Sequence, residues 1–369
     1  MQHRCILVAA LLALTAWSSA VRAQDAPWNQ YRGLSELEIP FANGPISPGY
    51  VPEVWLKLPG SAPRRFGMDT GSTGIVVAAE HYTPAPGDVD GGPGRLIYNS
   101  SGRILSGERF TTDVVIQRDG NAPVATARVQ VLRVTEISCL EHARDCRPEQ
   151  NPRDVALMGV GFDRDAAQGT EPGAPRNPFT SLVSLASHAP LSTVRSGYVV
   201  TRTGVHLGMT SELTDGFAFI KLARNPAAPP ESPEWSTAPM TVSVDGVAAE
   251  GTILVDTGIK YMFLSPPAGT ILAPGARAPN GTKIAVYLPD KRSPQPAFYT
   301  FTVGERANPM QPERVEVVRD RGVFVNTGRM FLEGFDYLYD AVGGYVGYGW
   351  NRRLSGSFGG VTPGLFSPR

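Results

Sequence analysis

The chain has 369 residues, of which 42% are hydrophobic, so it is long enough to form two hydrophobic cores. Its 40 glycines and 33 prolines favour many turns and few long helices. Because 34 basic residues balance 34 acidic ones, the chain has no net field to attract nucleic acid or anionic lipid, and we expect no nucleic-acid partner.

The first 23 residues have the layout of an export signal. A short basic head precedes residues 6–17, an apolar run that is too short to span a bilayer, and Ala23 ends a small-residue cleavage pattern. Cys5 lies before the apolar run, which is not the position of a lipid-attachment cysteine. We therefore predict a signal peptide over residues 1–23, an exported mature chain in the periplasm or outside the cell, and no membrane anchor.

Two strand signals lead to the first Asp-Thr-Gly sequence. Residues 24–48 are Pro-rich without a basic run, so any prosegment there would be short. Residues 50–58 alternate apolar and polar side chains, which predicts a half-buried strand. A second apolar stretch then runs into Asp69-Thr70-Gly71-Ser72, which predicts a tight turn that lifts the carboxylate clear of a sheet.

A β-hairpin is predicted over residues 95–105, with its tip at residues 99–102. Tyr98 lies at the shoulder of this hairpin. Its ring could close over a bound ligand, or it could form an ordinary cross-strand pair, and the sequence leaves both interpretations open. Further strands are predicted at residues 110–116 and 126–135.

Cys139 and Cys146 remain once Cys5 is removed with the signal. A close pair of cysteines in an oxidising compartment predicts a local disulfide, which stabilises a fold by roughly 2 to 3 kcal/mol. With His142 the two cysteines also have a spacing that resembles a metal site. A fourth ligand is missing and export favours oxidation, so we favour the disulfide and expect no metal and no other cofactor.

The rest of the first half contains one more buried strand and one helix candidate. Residues 154–162 form an apolar run with glycines, which predicts a buried strand close to other backbone. Residues 177–189 are the best helix candidate in the chain, opened by Pro178. Strands at residues 196–203 and 217–222 complete this half.

A Pro-rich, aperiodic segment at residues 223–238 predicts a linker. The second half then repeats the plan of the first, because an apolar stretch at residues 252–255 leads into Asp256-Thr257-Gly258, 187 positions after the first such turn. Residues 324–349 supply an apolar segment with glycine, a short helical turn, a strand and a closing hairpin.

The two Asp-Thr-Gly turns are more informative together than alone. Either aspartate alone could be an ordinary turn residue. Two such turns, each after an apolar strand and each in its own half, predict a cleft in which Asp69 and Asp256 face each other. Two close carboxylates share one proton, because both cannot ionise cheaply, and the pair can then act as base and acid toward a water molecule.

The other turn residues have expected supporting roles. Thr70 and Thr257 would hydrogen-bond across the interface between the two turns. Gly71 and Gly258 would let backbone NH groups approach the carboxylates. These four residues would therefore hold the two acids in place.

The residue after each Asp-Thr-Gly differs between the turns. Ser72 can donate a hydrogen bond to Asp69, whereas Ile259 cannot donate to Asp256. We therefore expect lopsided side-chain support, with Asp256 ionising less readily than Asp69. On this hypothesis, Ile259→Thr lowers the pH at which activity rises.

Other hydrolytic chemistries lack their motifs. The five histidines form no His-x-x-x-His pair, and the sequence contains no Gly-x-Ser-x-Gly and no phosphate-binding loop. Ser72 as a nucleophile has no base that the sequence identifies.

Over most of the mature sequence, these motifs resemble the pepsin-like aspartic proteases. Tyr98 falls where that family has its flap tyrosine. Residues 156–162 resemble the apolar-apolar-Gly element of the first lobe, and residues 328–340 with 345–349 resemble the C-terminal block and closing strand.

The resemblance implies an all-β, bilobal pepsin-like fold, with two β-barrel-like lobes and an active-site cleft between them. The lobes would be residues 24–222 and 239–369, joined by the linker at 223–238. It also implies an aspartic endopeptidase that cuts an extended polypeptide substrate between apolar residues with water activated between Asp69 and Asp256. Because one chain would supply both lobes, we expect a monomer.

Three places depart from the family pattern: Ile259, residues 326–329 and the hairpin tip at 99–102. Because these departures alter the groove, the main alternative is a catalytically weak or inactive binding protein on the same fold. A second alternative is an enzyme whose only substrate is its own N-terminal segment.

Overall fold

The computed structural model describes residues 28–141, 143, 146–170, 175–228, 234–319, 322–351 and 358–362. The signal peptide predicted over residues 1–23 lies outside these ranges, and so does His142 of the alternative metal pattern. Within them the protein is almost entirely β structure, with short helical segments only. None of the described helices has the length and apolar character needed to cross a membrane.

The helical segments are short and lie between strands. Two are α-helical, α1 (Trp28–Tyr31) and α2 (Asp165–Gln168), and three are 3-10 turns, at Ala79–His81, Leu191–Thr193 and Arg329–Glu333. The strands, in chain order, are β1 (Glu36–Pro40), β2 (Glu53–Lys57), β3 (Arg64–Asp69), β4 (Thr73–Ala78), β5 (Val89–Tyr98), β6 (Arg103–Gln117), β7 (Pro123–Cys139), β8 (Glu149–Gln150), β9 (Ala156–Val160), β10 (Leu182–Leu185), β11 (Gly197–Val200), β12 (Gly204–Gly208), β13 (Ala218–Lys221), β14 (Ala238–Val244), β15 (Val247–Leu254), β16 (Met262–Ser265), β17 (Lys283–Leu288), β18 (Ala297–Thr302), β19 (Val315–Val317), β20 (Phe324–Asn326), β21 (Phe335–Asp340), β22 (Tyr345–Trp350) and β23 (Gly359–Val361).

The strands form three sheets. A nine-stranded sheet from the first half has the order β10-β7-β4-β9-β3-β2-β6-β5, with β8 on β7. An eight-stranded sheet from the second half has the order β19-β16-β20-β15-β14-β17-β18-β23. The third sheet, β1-β12-β11-β21-β22-β13, takes strands from both halves, and one continuous hydrophobic core runs through all three.

Several sequence predictions are confirmed. The alternating pattern at 50–58 contains β2, in which Val54 and Leu56 are buried. The predicted hairpin is the junction of β5 and β6, where Tyr98 pairs with Arg103 around the tip at residues 99–102. The strands predicted at 110–116 and 126–135 are parts of β6 and β7. Local alternation and turn residues were therefore sufficient to locate these elements.

The helix predicted over residues 177–189 is wrong. The described chain forms a turn at 178–180 and then β10, which pairs antiparallel with β7. Asn177 fixes the turn, because its Oδ1 accepts the Phe179 N–H at 3.0 Å and its Nδ2 donates to the Val160 carbonyl at 2.6 Å. These bonds compete with a helix start, and Pro178 is compatible with a turn as well as with a first helical turn.

The predicted linker is attached to the six-stranded sheet at its described ends. An isolated bridge joins Arg224 to Trp235, and the Trp235 indole donates to the Ala341 carbonyl at 2.8 Å. Strand β14 begins at Ala238, the last residue of the predicted linker. Residues 229–233 of this segment lie outside the described ranges.

The N-terminal segment is part of the same sheet, because β1 pairs with β12. The Tyr31 hydroxyl donates at 3.0 Å to Asp340, a fully buried carboxylate that also accepts the Arg195 Nε at 2.9 Å. A buried charge is tolerated when it is paired and hydrogen-bonded in this way. The described part of the possible prosegment is therefore packed into the fold.

Cys139 and Cys146 lie at disulfide-bonding distance, with Cα atoms 5.8 Å apart. Cys139 is the last residue of β7 and pairs with Arg103 at the hairpin tip. The adjacent Leu140 N–H donates to the Gly102 carbonyl at 2.8 Å. The bridged segment therefore supports the tip of the β5–β6 hairpin.

Candidate active site

The two predicted aspartates lie at matching places, where β3 and β15 end near the centre of the molecule. Asp69 is the last residue of β3, and Asp256 follows the end of β15 by two residues. The two residues are only 7% and 6% exposed. In each turn the glycine N–H donates to the aspartate Oδ1 at 2.8 Å, from Gly71 and from Gly258.

Thr70 and Thr257 join the two turns by reciprocal hydrogen bonds. Each hydroxyl accepts the backbone N–H of the other threonine at 3.0 Å. Each hydroxyl also donates at 2.6 Å to a carbonyl of the opposite half, the Thr70 hydroxyl to Val255 and the Thr257 hydroxyl to Met68. The cross-interface bonds expected from the sequence are therefore present, and they join the two turns directly.

This arrangement brings the two carboxylates together. A Cβ atom built on Gly258 would lie 2.6 Å from Asp69 Oδ1 and 3.1 Å from Asp256 Oδ1. A Cβ on Gly71 would lie 2.4 Å from Asp256 Oδ2. These distances are below van der Waals contact, so each glycine borders the carboxylate of the opposite turn and no larger residue fits there.

The close pair has a clear electrostatic consequence. Burial, first, and the charge of Asp69, second, raise the pKa of Asp256 to about 7. Hydrogen bonds from Asn326 and from the Gly258 N–H oppose part of this rise. Asp256 therefore holds its proton to higher pH than an ordinary aspartate does.

The expectation of lopsided side-chain support is wrong. Ser72 Oγ donates to Asp69 Oδ2 at 2.5 Å, as predicted. Asp256 Oδ2 also accepts a side-chain donor, Asn326 Nδ2, at 2.6 Å, although Ile259 contributes none. The rise in the pKa of Asp256 therefore comes from burial and from Asp69 rather than from a missing donor.

The sequence pattern marked Asn326 only as a departure from an apolar element. The sequence did contain a sign that Asn326 has a hydrogen-bonding role. Asn326 lies in the apolar segment Phe324–Asn326, and a buried amide needs hydrogen-bond partners. The partner could not be named, because Asp256 is 70 positions away and reaches Asn326 through the parallel pairing of β15 with β20.

The buried strand predicted at 154–162 lies directly behind the first turn. Strand β9 pairs in parallel with β3, so that Gly159 lies opposite Asp69, and the Gly161 N–H donates to the Ser72 carbonyl at 2.7 Å. The prediction of a buried strand close to other backbone is confirmed, and a backbone hydrogen bond joins the end of β9 to the first turn.

A cavity of about 610 Å³ opens above the two aspartates and is lined by both halves of the chain. The β5–β6 hairpin tip forms one wall, with Tyr98 to Ser101 among the lining residues. The Tyr98 hydroxyl is buried near Ser72, and it makes no hydrogen bond of normal geometry to the described residues. Burial and the charge of Asp69 raise the pKa of Tyr98 above its ordinary value. The structure thus brings Tyr98 to the same cavity as the two aspartates.

A buried arginine is hydrogen-bonded to the second turn. Arg329 is 4% exposed, and its guanidinium donates to the Thr257 carbonyl at 3.2 Å and to the Ser47 carbonyl at 2.9 Å. Burial lowers the pKa of Arg329, and the charges of Asp256 and Asp69 oppose that change. The N-terminal segment therefore contacts the site at its border, where Pro48 lines the cavity.

In the described parts of the chain, no three His, Cys, Asp or Glu side chains are grouped in a way that could hold a metal ion. Compared with protein-family models and with curated proteins, the chain matches none. The residues around the cavity are therefore the guide to the chemistry of the site.

We predict that Asp69→Asn stabilises the protein above neutral pH. Between about pH 4, where an unfolded aspartate titrates, and about pH 7, the folded chain keeps a proton on Asp256 that the unfolded chain releases. The unfolding free energy of the wild type therefore falls as the pH rises through this window. The variant removes the charge of Asp69 and with it one cause of the fall.

At pH 8 we expect Asp69→Asn to unfold at higher urea concentration than the wild type, by about 1 kcal/mol, with little difference at pH 4. The new asparagine side chain can still accept the Gly71 N–H and can donate to Ser72, so the fold is retained. Exposed Asp215→Asn is the control and should show no such pH dependence. Equal stability of Asp69→Asn and wild type at pH 8 contradicts the inferred repulsion.

Proposed function

We propose that the protein is an aspartic endopeptidase of the pepsin-like family, which hydrolyses peptide bonds with water activated between Asp69 and Asp256. The observation that carries the proposal is the pair of buried carboxylates from two equivalent turns, held face to face by Thr70 and Thr257 beneath a cavity. General acid and base catalysis by two such groups needs neither a metal nor a covalent intermediate.

The environments of the two acids support different roles for them. In this proposal Asp256, whose pKa is raised to about 7, is the acid, and Asp69, which accepts hydrogen bonds from Ser72 and Gly71, is the base. A water between them gives a proton to Asp69 and attacks the peptide carbonyl carbon, while Asp256 gives its proton to the carbonyl oxygen. Collapse of the tetrahedral intermediate breaks the C–N bond: Asp256 takes back a proton from one of the intermediate's two hydroxyl groups, and the proton on Asp69 passes to the leaving amine, so the products are a carboxylic acid and an amine and the starting state of the pair is restored.

The cavity suits a polypeptide in an extended conformation. Strand β5 is the edge strand of its sheet, so backbone groups beside the hairpin tip can pair with a strand-like substrate. Both halves of the chain contribute apolar side chains to its lining, which favours cleavage between apolar residues. The apolar side chains that line it include Ile97, Leu105, Leu157, Ile259, Phe263 and Phe324.

The fold supports the same family. The nine-stranded sheet of the first half and the eight-stranded sheet of the second half each present one Asp-Thr-Gly turn. We infer from this two lobes over residues 24–222 and 239–369 with a linker at 223–238, acting as a monomer. The predicted signal peptide and the close cysteine pair support export to the periplasm or the extracellular space.

We expect the protein to cleave a denatured polypeptide at acidic pH and to be blocked by a statyl-type transition-state mimic. Activity should fall as the pH rises through about 7, because Asp256 then loses the shared proton. Asp69→Ala and Asp256→Ala should each lower kcat/KM by about a thousandfold or more, and Asp215→Ala should not. The measurement is digestion followed by mass spectrometry.

Cleavage that persists in both alanine variants contradicts the assignment of these residues. Binding of the mimic without any cleavage by the wild type favours the alternative, a binding protein on the same fold. Cleavage confined to the N-terminal segment of the precursor favours self-processing.

Tyr98→Phe tests whether the hydroxyl acts on substrate or only the ring packs. Because the hydroxyl has no partner of normal geometry in the described structure, its removal should leave the stability unchanged within about 1 kcal/mol. If the hydroxyl bonds a bound substrate, kcat/KM should fall about fivefold.

The control is Tyr82→Phe, which removes a hydroxyl bonded to Asp88 at 2.8 Å and away from the cavity. It should lower stability and leave kcat/KM unchanged. An unchanged kcat/KM in Tyr98→Phe supports the cross-strand packing interpretation instead.

A further inference from the structure

The surroundings of the two aspartates match position by position. The parallel pairing of β3 with β9 places Leu157 opposite the residue two before Asp69. The parallel pairing of β15 with β20 places Asn326 opposite the residue two before Asp256. Both residues line the cavity. Leu157 and Asn326 therefore occupy equivalent positions beside the two carboxylates.

A second pair of equivalent positions lies in the turns themselves. Ser72 follows Asp69 by three residues, and Ile259 follows Asp256 by three. Polar and apolar side chains are exchanged between these positions. In the first half the donor is in the turn, and the neighbouring strand carries an apolar residue. In the second half the donor is on the strand, Asn326, and the turn carries the apolar residue.

We propose that Asn326 is the positioning residue of Asp256, and that its donor frees position 259 for an apolar side chain facing the substrate. The inference rests on the proposed endopeptidase function. In both halves the aspartate Oδ1 accepts its glycine N–H and Oδ2 accepts one side-chain donor. The exchange therefore preserves the number and direction of hydrogen bonds on each acid while the two pocket walls differ.

The geometry of Asn326 suits this role. Its side chain is 5% exposed, and its Oδ1 accepts the Gly328 N–H at 3.0 Å, which leaves Nδ2 directed at Asp256. A hydrogen bond to a buried carboxylate is stronger than one between neutral groups and restricts the orientation of the acid. Asn326 thus fixes the orientation in which Asp256 can give its proton to a substrate carbonyl.

Other charged groups near Asp256 come from three elements. Asp69 faces it from the first turn, and Arg329 lies in the helical turn after β20. Lys260 lies on the second turn and pairs with Glu313 at 2.6 Å. A neutral substitution of Asn326 leaves all of these charges in place, so a change in the pH profile reports the lost hydrogen bond.

The test is Asn326→Leu, which places at this position the residue that its counterpart already carries. It should lower kcat about ten- to hundredfold with KM little changed, as expected for loss of a hydrogen bond to a charged group. The basic limb of the pH profile should move to higher pH, because Asn326 stabilises the ionised form of Asp256.

Three further variants separate positioning from structural damage. The double variant Asn326→Leu with Ile259→Ser restores a side-chain donor in the turn, as in the first half. It should recover most of kcat and return the basic limb of the pH profile to its wild-type position. Asn308→Leu is the matched control. Like Asn326, Asn308 accepts the backbone N–H of the residue two positions later, but its Nδ2 donates to the Thr300 carbonyl instead of an aspartate. This control variant should lower the stability of the protein and leave the basic limb of its pH–activity profile unchanged. Asn326→Ser repeats the test with a polar residue, because the serine side chain is too short for its hydroxyl to reach Asp256.

The proposal is overturned if Asn326→Leu and Asn326→Ser both keep the wild-type kcat and the wild-type basic limb of the pH–activity profile. It is also overturned by a double variant no better than Asn326→Leu alone, since the loss is then structural. A wild-type protein without peptidase activity, even toward a denatured substrate, contradicts the proposed function and this inference with it.

Discussion

The reciprocal hydrogen bonds of Thr70 and Thr257 are the interaction on which the site depends. Two carboxylates that approach closely repel each other when both are ionised, so the turns that carry them must be held together. Each threonine hydroxyl accepts from the opposite turn at 3.0 Å and donates to the opposite half at 2.6 Å. Both threonines are at most 2% exposed, so these bonds do not compete with water.

The surroundings of the two aspartates differ, although the threonine bonds that join their turns are the same on both sides. Each aspartate keeps one backbone and one side-chain donor, but the side-chain donor comes from Ser72 on one side and from Asn326 on the other. Arg329 is a buried cation beside the second turn, and it connects that turn to the N-terminal segment. The two aspartates therefore have the same pattern of hydrogen bonds but different neighbouring residues.

The features that could be predicted from the sequence are local ones. The two turns, their threonines and the hairpin at 95–105 are each defined by residues close together in the chain. The bond from Asn326 to Asp256 depends on a strand pairing between distant segments, and no local pattern specifies it. The segment expected to be a helix at 177–189 instead forms a turn followed by β10, because the turn bonds of Asn177 and the pairing with β7 outweigh helical spacing. The mixing of both halves in the six-stranded sheet is equally non-local.

The central claim is that Asp69 and Asp256 share one proton. Carbon-13 NMR of the aspartate carboxyl groups, recorded as a function of pH, tests it most directly. We expect one buried carboxyl that titrates near pH 7 in the wild type, and a titration at lower pH for Asp256 when Asp69 is replaced by asparagine. Two carboxyls that titrate independently near pH 4, unchanged by the substitution, would contradict the claim.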